Sequence, residues 1–254
     1  MAWTPASPSM TSSMPREELP ALRLGGIAAA ATAGLTAVAF GTAVLAVPSA
    51  GAFCPADCLS YPYSEAVDFK SIDFVWLYPA TVLMPVLVVL LAALETVAPI
   101  GRRVYGRVAF ALGTAGAAIL AVNYAVQLLV VQPALVRQEL AGITPWLQYN
   151  PYGAFIVLED LGYLLVALAF GFLATLFPGP GIERAVRWTF SVASGAAVVA
   201  TLILGVVYRL EIQDRLEVAL ILIDWTALIV VGPLLAVLFR RRMRALGTYG
   251  PTGT

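Results

Sequence analysis

The chain has 254 residues, 60% of them hydrophobic and 12% charged, with a mean hydropathy of +0.87. A soluble domain is about 45–50% apolar and about 25% charged, so this composition excludes an ordinary soluble core. Formal net charge is zero, which offers no electrostatic footprint for nucleic acid.

Histidine is absent and there are two cysteines, so the usual ligands of zinc, haem and iron–sulfur sites are missing. No metal and no cofactor is expected, although a carboxylate-bound ion such as magnesium stays open.

Residues 1–24 carry Pro, Ser, Thr and a few charges without helical periodicity and read as a mobile cytoplasmic tail. A membrane-spanning helix needs about 20 mostly apolar residues. Six segments qualify: Ile27–Val47, Phe74–Val97, Val108–Gln132, Gly153–Phe177, Trp188–Tyr208 and Val218–Phe239. The fold class is therefore all-α, a polytopic transmembrane helix bundle of about six spans over residues 25–240. Residues 241–254 follow as a basic tail.

Basic residues near span ends are retained in the cytoplasm. Alternate segments hold eleven (Arg16, Arg23, Arg102, Arg103, Arg107, Arg184, Arg187, Arg240, Arg241, Arg242 and Arg244) against four (Lys70, Arg137, Arg209 and Arg215). Both termini are thus expected in the cytoplasm, with Pro48–Asp73, Pro133–Tyr152 and Arg209–Glu217 outside. The first span could also be a cleaved signal, since Pro48-Ser49-Ala50-Gly51 follows it, but its apolar stretch exceeds a signal core of about 7–15 residues.

Cys54 and Cys58 fall in the first outer loop, on the oxidising side, and are expected to form a small disulfide; their spacing is not the thioredoxin-type C-x-x-C. Trp76 and Tyr78 enter the second span from the same side. Glu95 ends that span, where it can pair with Arg102 or Arg103. Small residues at Gly113 and Ala117, Ala167 and Gly171, and Ser191 and Gly195 suit close helix packing. Pro79, Pro85 and Pro233 lie in or near spans, and each frees a backbone carbonyl. No internal repeat of the kind found in many secondary transporters is visible.

An acid in hydrocarbon costs at least about 2.5–3.5 kcal/mol on insertion scales and is normally paired or functional. At about 1.5 Å per residue, Glu159 and Asp160 lie roughly 9–11 Å below the outer boundary of the fourth span, and Asp224 about 9 Å below that of the sixth. The third span adds Asn123 and Gln127 on one face, with Tyr124 beside them. Glu159 and Tyr163 share a face, and Trp225 follows Asp224. The outer half is thus expected to hold an acid-rich, aromatic-lined cavity. The competing structural reading has these amides and acids bonding one another across helices.

The stretches VNYAVQLLVVQP from Val122 to Pro133 and QYNPYGAFIVLEDLGY from Gln148 to Tyr163 resemble a family of uncharacterised polytopic membrane proteins of bacteria. In length, helix count and buried acids the chain also looks like the membrane-embedded terpene cyclases of actinobacterial pathways, a likeness of layout without an alignable motif. Fourteen Arg against one Lys suit a high-GC actinobacterium. The location implied is a bacterial cell membrane.

Protonation-initiated cyclisation needs a carboxylic acid kept protonated by desolvation, a greasy pocket, and aromatic faces for the migrating cation. On that reading Asp224 or Glu159 is the proton donor, Asp160 its partner and Asn123 an orienter. Tyr124, Gln127, Tyr163, Trp76 and Trp225 line the site, and the ligand is a hydrophobic isoprenoid-type molecule entering from the membrane lipid. A proton-coupled small-molecule carrier and a non-catalytic accessory protein compete with it.

Overall fold

The computed structural model describes residues 14–63 and 70–248. Six of its helices are long and apolar enough to cross a membrane, so the chain is a multi-pass membrane protein. They are α1 (Met14–Ala43), α2 (Leu77–Thr96), α3 (Arg103–Val126), α4 (Ala154–Ala174), α5 (Ile182–Tyr208) and α6 (Arg215–Thr248). A short helical turn at Ile72–Val75 leads into α2. A wide π-helical turn at Gln127–Val131 carries α3 into a last segment, Gln132–Arg137. Among the described residues there is no strand.

The short connections after α2, α4 and α5 make those helices antiparallel to the next. Each helix packs on the next, and α6 returns to α1 to close the ring. Gly25 lies against Phe239, Gly232 against Ala29, and Phe40 against Trp225. That register is antiparallel and puts Met14 and Thr248 at one end of the bundle, with the Cys54–Cys58 loop at the other. Direct contact between α4 and α6 leaves α5 on the outside. Only 17% of the most apolar stretch of α5 is buried, against 50% for α4, which makes α5 the most lipid-facing helix.

Small residues set the tightest approaches. A Cβ on Gly116 of α3 would stand 2.5 Å from the Gly162 carbonyl oxygen of α4, and one on Gly232 would stand 2.7 Å from the Ala29 carbonyl oxygen. Of the glycines expected at packing seams, Gly113 abuts Leu91 and Gly171 abuts Ser194, whereas Gly195 meets open space.

Several boundaries differ from the hydropathy reading, most of all in the first and last helices. The first helix begins at Met14 and stops at Ala43, so residues 14–24, read as tail, belong to it. Arg, Glu and Leu sustain a helix beyond the apolar layer, where hydropathy has no signal, and Pro48 pushes the preceding residue out of the helical region. Likewise α6 continues through the basic segment to Thr248. The rest of both tails, residues 1–13 and 249–254, lies outside the described residues.

Candidate functional site

Beneath the disulfide loop, α3, α4 and α6 bring aromatic and acidic side chains together. Tyr124 and Tyr163 share a hydrogen bond of 2.5 Å between their hydroxyls, and the Trp225 indole N–H donates to the Tyr163 hydroxyl at 2.9 Å. Trp76 packs against Tyr124 and Trp225 with ring centroids 5.5 and 6.0 Å apart, and Phe40 meets Trp225 at 6.1 Å. All five rings are buried or nearly so. The rings expected to line a cavity thus pack on one another.

Glu159 and Asp224 are fully buried, and no hydrogen-bond partner reaches either carboxyl oxygen of Asp224. Glu159 lies one turn above Tyr163 and beside Tyr124 and Glu217. Asp224 lies two turns below Glu217 on α6 and near Tyr163. Asp160 is half-buried and sits beside Glu159 and Glu217. Of the expected trio, Asp160 neighbours Glu159, while Asp224 stands apart near Tyr163.

The amides are tied to backbone. Asn123 donates to the Phe155 carbonyl at 2.9 Å, and Gln127 donates to the Trp146 carbonyl. Asn123 therefore fixes the start of α4, and Gln127 anchors the loop between the third and fourth spans. Gln127 can do so because the helix widens there: the Gln132 N–H bonds back to the Gln127 carbonyl, just before Pro133, which has no N–H of its own. Tyr78 points away from the site, exposed and donating to Gln132 at 3.3 Å.

A partly open cavity lies above this layer, at the mouth. It measures about 150 Å³ and is lined among others by Trp76, Phe155, Tyr149, Asp73, Asp214 and Glu217. Comparison with protein families, curated proteins and solved structures gave no match. Of the residues singled out from sequence, Trp76 alone borders this cavity. The interior acids lie below its floor.

Three mouth acids escaped the sequence reading, because Asp73, Asp214 and Glu217 fall at or just outside span boundaries. One signal for Glu217 was available: it stands seven residues before Asp224, two helical turns up the same face. Asp214 accepts the Ala52 backbone N–H at 2.8 Å and so ties down the disulfide loop, in which Cys54 and Cys58 are bonded. Tyr149 donates to Asp73 at 2.8 Å. Burial, then the adjacent Asp73 carboxylate, push the Tyr149 phenol upward, so it remains a hydrogen-bond donor throughout the physiological range.

Among the described residues no three acids converge in a geometry that could hold a metal ion. What the arrangement offers chemically is proton storage. Glu217, at the cavity, and Glu159, below it, are adjoining carboxyls, and a proton arriving from the mouth can pass from the first to the second.

Proposed function

We propose that the chain is a proton-coupled carrier of a small molecule, with the mouth cavity as its binding site and Glu217 and Glu159 as the groups that take and hold the proton. The observation that carries this reading is the position of Glu217. It borders the cavity while its carboxyl adjoins the buried Glu159, so on this reading ligand and proton meet at one side chain. Acid chains of this kind serve as proton relays in membrane transporters. The cavity also sets a size, since a pocket of about 150 Å³ is filled by a molecule as large as benzene.

Cyclisation of an isoprenoid is the second reading. It is favoured by the faces of Tyr163, Trp225 and Trp76 around the layer of Asp224, which suit a cationic intermediate. It requires those rings to part, because the space between them is filled. A lipid-soluble substrate would then enter between helices, with Asp224 as the donor.

The carrier reading is tested with the full chain in sealed vesicles containing a pH-sensitive dye, challenged with small amines, amino acids and carboxylates. At least one class should change the internal pH, and Glu159→Gln should reduce that response at least tenfold while the protein remains folded. If no class changes the internal pH, the carrier reading is wrong. Supplying prenylated and epoxidised isoprenoids to a host expressing the chain, and finding a cyclised product lost in Asp224→Asn, would put the second reading in its place.

A further inference from the structure

The walls of the mouth cavity combine two features that recognise the same ligand. Asp73, Asp214 and Glu217 supply carboxyls, while Trp76, Tyr149 and Phe155 supply aromatic rings. An aromatic face attracts an organic cation within about 6 Å of its centroid, most strongly where water is excluded. The rings are held by their neighbours: Trp76 lies edge-to-face on Phe155 at 6.4 Å, and Tyr149 donates to Asp73.

Among the described residues no Lys or Arg lines this cavity. Arg215, next to Asp214 in sequence, donates to the Glu211 carbonyl at 2.9 Å and stacks on the Tyr208 ring at 4.4 Å. Lys70 stands near Asp73 on the exposed side. Glu217 is the decisive group. It is 9% exposed, it borders the cavity, and the polar group beside it is another carboxyl, Glu159. A largely buried acid that borders an open space, with other carboxyls and no Lys or Arg in the lining, is suited to pair with a cation.

We infer that the mouth cavity binds a small organic ammonium ion, its charge held by Glu217 and Asp214 and its alkyl groups packed against Trp76 and Phe155. The volume of about 150 Å³ suits a headgroup of a few carbons around one nitrogen. A bare metal ion is a poorer match, since among the described residues no three acids converge on one point. The inference rests on the carrier reading only in sharing its site, and it names the class of cargo.

The test is equilibrium binding to the purified full-length chain in lipid nanodiscs, followed by calorimetry and by the fluorescence of the buried tryptophans. The probes are choline and its neutral isostere 3,3-dimethyl-1-butanol, which has the same shape without the charge. Choline should bind at least tenfold more tightly. Glu217→Gln and Trp76→Leu should each weaken choline at least tenfold without changing the weak binding of the alcohol by more than about twofold.

Equal binding of the two probes, or no binding of choline, overturns the inference with the native protein alone, whatever the variants do. Unchanged choline affinity in a folded Glu217→Gln also overturns it. Binding needs no transport, so choline that binds without altering vesicle pH would sink the carrier reading and leave the ammonium site standing.

Discussion

Glu183 and Glu95, at the end of the bundle that holds both helix termini, each face an arginine. Glu183 accepts from Arg242 at 3.0 Å and from the Gly179 N–H at 2.8 Å, and Glu95 lies 3.6 Å from Arg107. Towards the disulfide end Glu159 faces Tyr124 and other acids instead of a cation, and Asp224 accepts no hydrogen bond. Arginines thus satisfy the acids at one end, whereas towards the other the mouth acids Asp73 and Asp214 accept hydrogen bonds and the interior Asp224 is left bare. A bare carboxyl in hydrocarbon costs several kcal/mol and contributes no cross-helix bond to offset it. Such groups are characteristic of sites kept for function at the expense of stability.

This contrast can be broken by comparing substitutions at the two ends. The largest change in stability should come from Glu183→Ala. It removes a charge-assisted bond to Arg242 and the acceptor for Gly179, and hydrogen bonds to charged groups contribute about 1.5–3 kcal/mol each before solvent exposure is considered. Both side chains are partly exposed, at 33% and 21%, so a net loss of about 2 kcal/mol is expected, read as a lowered unfolding midpoint in detergent. A loss below about 0.5 kcal/mol would show that the arginine-paired acids are no more structural than the bare ones.

The spans were legible in the sequence because about 20 apolar residues in a row have few other uses, and the Cys54–Cys58 bridge followed from their closeness. The helical extension to Met14 was not, because a helix that leaves the apolar layer carries no hydropathy mark. The depth of Glu159 and Asp224 was readable by counting residues, and Tyr163 by its four-residue spacing from Glu159.

What counting could not supply was which neighbours touch. Glu95 pairs with Arg107 instead of Arg102 or Arg103, because Gly106 lets the end of α2 approach that turn of α3, and Arg102 donates to the Thr175 carbonyl. Nor could it locate empty space. The cavity sits at the mouth, where Asp73, Asp214 and Glu217 fall between span and loop and look like ordinary solvated acids.

Asp224 sharpens the contrast from the other side. Replacing it with Ala removes two oxygens that bond nothing and leaves only a small gap, so the unfolding midpoint should stay unchanged or rise by the equivalent of up to about 1 kcal/mol, the range in which unsatisfied polar burial is relieved. The expected sign is opposite to that at Glu183. A fall of more than about 1 kcal/mol would mean that Asp224 holds helices together after all.

The smallest effect belongs to Arg107→Ala. Its guanidinium is 74% exposed and 3.6 Å from a Glu95 carboxyl that is itself 30% exposed. Exposed ion pairs contribute about 0–1 kcal/mol and are screened by salt. The substitution should therefore lower the unfolding midpoint slightly at low ionic strength and not measurably at about 0.5 M salt, where the Debye length is only a few ångströms. The salt dependence carries the information, because loss of packing by the arginine stem would persist in salt while loss of charge pairing would not. A destabilisation that survives high salt would show that Arg107 is held by its alkyl contacts, and that the paired end is built by packing as much as by charge.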